Sequence, residues 1–127
     1  MPPRLTLRVD LGPKQSIGPG KMRLLDAVAE TGSISSAGRM LGMSYRRAWM
    51  LIDDLNSSFR RKVVTTMLGG KEGGGAKLTP FGAELLKRYR TIEASATKAT
   101  KAHVAFLARA MRTDTEAGTA KRTRLSR

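Results

Sequence analysis

The sequence contains no cysteine and a single histidine, His103. The first absence excludes disulfides, thiolate catalysis and zinc fingers. The second argues against a classical metal site and against a histidine-based triad. No grouping of Asp, Glu, His or Ser forms a recognisable catalytic set, so the expectation is a non-enzyme with no metal and no cofactor. Long hydrophobic runs are missing too. None approaches the ~20 apolar residues of a membrane span, and the start, MPPRLTLRVD, lacks the apolar stretch of a secretory signal. A cytoplasmic, nucleoid-associated protein with no membrane partner is the expectation. Acidic residues are scarce: 10 Asp+Glu stand against 24 Lys+Arg, a formal net charge of +14 on 127 residues. A charge of that size concentrates polyanions and steers them in, so nucleic acid is the leading partner class, ahead of anionic lipid.

The segments that are present read in a definite order. Leu5-Thr6-Leu7-Arg8-Val9-Asp10 alternates apolar and polar and predicts a short strand, followed by a turn-rich link over Ile17-Gly18-Pro19-Gly20. A first helix is predicted from about Lys21 to Thr31, with Leu24, Leu25 and Val28 as its buried stripe and Gly32 as its stop. Ser33 looks like the N-cap of a short second helix, Ile34 to Leu41, and Ser44 like the N-cap of a third, Tyr45 to Phe59. Two helices joined by a short Gly-containing turn are a helix-turn-helix signature. The apolar positions interlock: Ala37, Leu41 and Met43 face Ala48, Leu51, Ile52 and Leu55, and the small Ala37 and Ala48 permit a close crossing.

Val63 to Leu68 is strand-like, Gly69 to Gly75 is glycine-rich, and Ala76-Lys77-Leu78 returns as a second strand. A hairpin directly after the helix-turn-helix is read as a wing, with Lys71 and Lys77 placed to touch DNA. The glycines lack the Gly-Lys-Ser/Thr ending of a phosphate-binding loop. Thr79-Pro80 opens a fourth helix, with Thr as N-cap and Pro at its first position, continuing to about Arg112. Leu85, Tyr89, Ile92, Ala96, Ala99, His103, Phe106 and Ala110 alternate by four and three, a heptad seam whose simplest partner is a second copy. Residues 113–127 are basic and poor in apolar side chains, which predicts a disordered tail.

The expected fold is therefore mainly α: a winged helix-turn-helix with a short N-terminal strand, a β-hairpin wing and a long C-terminal dimerisation helix. Its parts are 1–20 (strand and link), 21–79 (DNA-binding domain), 80–112 (dimerisation helix) and 113–127 (tail). In a helix-turn-helix the start of the second helix enters the major groove. With Ala48, Leu51, Ile52 and Leu55 inward, the outer surface carries Ser44, Tyr45, Arg46, Trp49, Met50 and Asp53, with Arg47 on the flank. Arg46 suits a bidentate contact to guanine. Arg47 suits either a base or a phosphate, and Tyr45 a phosphate or a thymine methyl. Trp49 either touches the DNA or packs against the domain. Ser33, Ser35 and Ser36 suit a phosphate clamp, although Ser33 also serves as a cap, and Arg39 is a further phosphate candidate. Arg60, Arg61 and Lys62 extend the basic stripe.

The run LLDAVAETGSISSAGRMLGMSYRRAWMLIDDLN, followed by GGKEGGGAKLTPFGAELLKRYR, resembles the N-terminal domain of ModE-type molybdenum-responsive transcription regulators. That domain is itself similar to the DNA-binding domain of LysR-type regulators. The resemblance covers about Gly20 to Ile92 and rests on MSYRRAW together with GGGAKLTPFG. It implies a bacterial winged helix-turn-helix that forms a homodimer through its long helix and binds a pseudo-palindromic operator in double-stranded DNA. It also implies DNA contacts at Ser44, Tyr45, Arg46 and Arg47. Full-length members carry C-terminal β-barrel domains that bind molybdate. After Met111 only a short basic stretch follows here, so the expectation is that the sensing module is missing, that molybdate is not an effector of this chain, and that any effector is unknown. Two other functions suit parts of the sequence: a non-specific architectural DNA protein, from the charge and tail, and an oxyanion-gated regulator, from Tyr89 and His103 in the seam.

Overall fold

A computed structural model describes residues 2–67 and 75–112. The proposed wing tip with Lys71 and the proposed basic tail lie outside the described residues. The described chain divides into two compact units, one of residues 6–94 and one of residues 2–5 with 95–112.

The first unit begins with an extended segment. Leu7 and Val9 pack against the core while Thr6, Arg8 and Asp10 are exposed, as the alternation predicts. Only Val9–Asp10 forms a strand, β1, because only it finds a partner: β2, Ser16–Ile17, pairs with it antiparallel. The link predicted over residues 17–20 is thus part strand and part helix. Helix α1, Pro19–Thr31, begins at a proline, whose fixed φ and missing N–H suit the first helical position. It ends at Gly32 in the left-handed region, φ 72.

Helix α2, Ile34–Met40, starts where Ser33 Oγ accepts from Ser36 N at 3.1 Å. Helix α3, Tyr45–Ser58, starts where Ser44 Oγ accepts from Arg47 N at 3.1 Å. The turn between them passes through Gly42 at φ 69, a conformation that costs an L side chain roughly 1–2 kcal/mol. Gly38 lets the two helices approach, since a β-carbon there would meet the Ala48 methyl at 3.2 Å.

Leu24, Leu25 and Val28 of α1, Ile34 and Ala37 of α2, and Ala48, Ile52 and Leu55 of α3 form one buried cluster. Fully burying a Leu, Ile or Val contributes about 1.5–3 kcal/mol each, which fixes how these helices cross. Strands β3, Val64–Met67, and β4, Gly75–Leu78, pair antiparallel from Val64↔Leu78 to Met67↔Gly75. Val63, Val64 and Ala76 close the core on that side, and Ala76 N donates to Gly32 O at 2.8 Å, tying the hairpin to the end of α1. Helix α4, Pro80–Ala110, is capped as predicted: Gly82 N donates to Thr79 Oγ1 at 2.9 Å. Its Leu86 and Tyr89 complete the core of the first unit.

Candidate nucleic-acid interface

The capped start of α3 presents a continuous outer face. Ala48, Ile52 and Leu55 are buried and Leu51 is half-buried, which turns Arg46, Met50 and Asp53 outward at helical spacing. Tyr45 is 60% exposed and Met50 56%, so neither belongs to the core. Ser44, Arg46 and Arg47 are exposed as well. The ion pairs among the described residues are Arg8–Asp10, Arg88–Glu84 and Arg90–Asp26. Arg39, Arg46, Arg47, Arg60, Arg61, Lys62 and Lys77 have no carboxylate partner among the described residues, which leaves their charge free for a polyanion.

On α2 the serines are already engaged. Ser33 serves as the cap, while Ser35 and Ser36 accept from the two terminal nitrogens of Arg39 at 3.3 and 3.2 Å. Arg39 is thereby held on the surface with its guanidinium oriented by the two hydroxyls. Lys77 is exposed on β4 opposite Thr65.

Trp49 separates from the outer face. It is half-buried against the core cluster, and its Nε1 is enclosed without a hydrogen-bond partner among the described residues. Its ring meets that of Tyr45 edge-on, with centroids 6.1 Å apart and planes inclined by 71°. Its ring thus packs against the core cluster while the residue keeps part of its surface exposed.

Asn56 holds the wing to α3. Its Oδ1 accepts from Val63 N at 2.8 Å and from Val64 N at 3.1 Å, while its Nδ2 donates to Val64 O at 3.1 Å. A lone Asn near a helix end gives no local signal of such a role, because both partners lie beyond the helix. Thr79 adds a second tie, donating from Oγ1 to Lys62 O at 2.6 Å and from its backbone N to Val63 O at 2.9 Å.

The heptad seam needs a correction at its start. Tyr89 is 2% exposed and Leu85 is half-buried, both packed in the core of the first unit. Tyr89 Oη donates to Leu7 O at 2.8 Å. Periodicity gives these positions the same phase as the rest of the seam, but both pack on the core, and Tyr89 meets the N-terminal extended segment at Leu7. The Tyr89 hydroxyl is thus engaged, which removes one of the two hints of an oxyanion site; burial raises its pKa first, Glu93 adds to the rise and Arg23 opposes it. Further along, Ile92 (42%), Ala99, His103, Phe106 (63%) and Ala110 are exposed and Ala96 is half-buried.

Residues 20–83 match the family of bacterial regulatory helix-turn-helix proteins of the lysR type. The chain is 45% identical over 82 residues to the molybdenum-pterin-binding protein MopB of Rhodobacter capsulatus, covering 65% of this chain and 30% of that protein. It is 34% identical over 90 residues to the molybdenum transport protein ModE of Azotobacter vinelandii, covering 71% and 33%. To the DNA-binding transcriptional dual regulator ModE of Escherichia coli (strain K12) it is 36% identical over 89 residues, covering 70% and 34%. The aligned part thus spans about a third of each relative. Among solved structures, a CbnR_DBD-DNA complex shares the fold, with a TM-score of 0.54 and 20% identity over 69% of this chain and 95% of that one.

Proposed function

The chain belongs to the lysR family of bacterial regulatory helix-turn-helix proteins, and on that premise we propose that it is a homodimeric, sequence-specific DNA-binding transcription regulator linked to molybdenum metabolism. The observation that carries the reading is the capped start of α3, where Tyr45, Arg46, Arg47 and Met50 are exposed and the arginines lack a carboxylate partner among the described residues. In this geometry the start of α3 enters the major groove. Arg46 reads a guanine through its two acceptors. Arg47, Arg39, Arg60, Arg61, Lys62 and the wing lysines Lys71 and Lys77 bind phosphates and set the register. Ser44 offers its hydroxyl to the backbone beside its cap role.

The dimer forms along α4, through the seam from Ile92 to Ala110. Exposed Ile92 and Phe106, flanking the small Ala96 and Ala99, support this pairing, because an apolar stripe at heptad spacing is stabilised by a matching stripe. A two-fold dimer would present two copies of α3 to a pseudo-palindromic operator. The molybdenum link comes from the curated relatives and concerns the genes under control, while a resident molybdate is not part of the reading.

Selection of bound duplexes from random-sequence DNA tests the proposal. The expected product is a pseudo-palindromic motif with half-sites one helical turn, about 10–10.5 base pairs, or a multiple of it apart. Equal affinity for scrambled duplexes, with steep salt dependence, would replace the regulator by a non-specific DNA binder.

A further inference from the structure

Trp49 lies on the recognition helix yet offers DNA no polar group. The only polar atom of its side chain, Nε1, is enclosed and has no hydrogen-bond partner among the described residues. A buried indole N–H ordinarily finds a partner, and an unpaired one is costly. An inward, water-excluded donor reaches neither a phosphate nor a base edge. What Trp49 does present is its ring, one helical turn from Tyr45. The centroid separation of 6.1 Å and inclination of 71° form the edge-to-face arrangement that ring quadrupoles favour. Tyr45 is 60% exposed at the first position of α3, where the helix leaves a long side chain much rotamer freedom.

We propose that Trp49 is a positioning residue: it holds the Tyr45 ring on the groove-facing side of α3 and affects DNA binding only through Tyr45. The inference rests on the DNA-binding reading above. Trp49 is anchored by its own packing against the core, so the orientation it imposes is that of the rigid domain rather than of the helix end. The useful part of the residue is its ring, and the N–H is dispensable. A second aromatic ring at this position preserves the function, and an aliphatic side chain of similar hydrophobicity does not.

The test uses the full chain and a duplex recovered by the selection described above. Affinities are compared for wild type, W49F, W49L, Y45A and the W49L/Y45A double variant, with the thermal midpoint of each recorded. W49F is expected to bind within about twofold of wild type, and W49L to lose about three- to tenfold, the size of an aromatic pair. In the Y45A background the W49L substitution should cost less than about twofold, since the pair it breaks is already gone. Equal losses in the two backgrounds overturn the proposal and leave Trp49 a purely structural residue. A W49F loss as large as that of W49L overturns it too, by making the N–H the group that matters. Should W49L be unfolded at the assay temperature, W49M replaces it in the cycle with the same expectation. A wild-type chain that binds no duplex sinks the DNA-binding reading and this proposal together, whereas an additive cycle on a tightly binding wild type sinks the proposal alone.

Discussion

Replacing Gly82 with Ala places a methyl group 2.1 Å from the Val63 carbonyl oxygen, 3.1 Å from its carbon and 3.2 Å from Val63 Cγ1. Ordinary contact starts at 3.4 Å, so α4 and the start of the wing must part by roughly 1 Å in an interior packed at crystal density. Val63 is poorly placed to yield. Its oxygen accepts from Thr79 N at 2.9 Å and its N–H donates to Asn56 Oδ1 at 2.8 Å, and its side chain is fully buried. Overpacking of this kind costs about 1–3 kcal/mol, and weakening the Thr79–Val63 bond adds about 1 kcal/mol. Opposing this, Ala is favoured over Gly in a helix by about 0.5–1 kcal/mol. The strain exceeds the gain, and G82A is expected to destabilise the protein by about 1–3 kcal/mol. Urea unfolding followed by helical circular dichroism measures it, and the thermal midpoint should fall by about 4–8 °C per kcal/mol in a unit of this size. A midpoint that stays level or rises, as helix propensity alone predicts, refutes the reasoning.

Three further outcomes follow from named contacts. Asn56→Ala leaves the Val63 and Val64 N–H groups without their acceptor and should cost about 2–4 kcal/mol in denaturant unfolding; Asn56→Asp keeps that acceptor but sets a carboxylate against Val64 O, so it should fall between Ala and wild type. Burial, then Glu93, lift the Tyr89 pKa above its ordinary 10.0 against the opposing effect of Arg23. The folded state therefore favours the protonated phenol, so this contribution to stability is intact below pH 10.0 and is lost as pH climbs through the raised value. Tyr89→Phe should abolish that alkaline loss in a pH series of unfolding curves, at a fixed cost of about 1 kcal/mol for the bond to Leu7 O. On a selected duplex, Arg46→Ala should relax preference at one position per half-site by about 1–3 kcal/mol. Lys77→Ala should instead weaken all sequences alike and lower the salt slope by about 1.

Local signals carried most of the fold. Ser33, Ser44 and Thr79 cap the helices their positions predict, because a cap is a contact between a side chain and a backbone N–H only a few residues on. The buried stripe of α1 and the inward face of α3 follow from a period set by the helix itself. The exposed face of Tyr45, Arg46, Arg47 and Met50 is legible for the same reason, as the complement of Ala48, Ile52 and Leu55. The N-terminal segment shows where this stops. Its alternation predicts which side chains turn inward, yet the strand shrinks to Val9–Asp10, since a ladder exists only where a second strand supplies partners.

By itself, then, the sequence determined the order of the four helices and the wing strands, the caps, the basic outer face and the lack of any cysteine. These are properties of composition and of short-range periodicity. The tertiary structure alone decided which of several candidates covers each apolar residue. Tyr89 has the phase of the seam but meets Leu7, eighty-two positions away in the chain. Trp49 has the outer-face phase of Tyr45 and Asp53, yet it packs half-buried against the core. Asn56 and Gly82 acquire their importance only because Val63 is brought between them. Contacts of that range depend on how whole elements cross, and no local pattern of residues encodes the crossing.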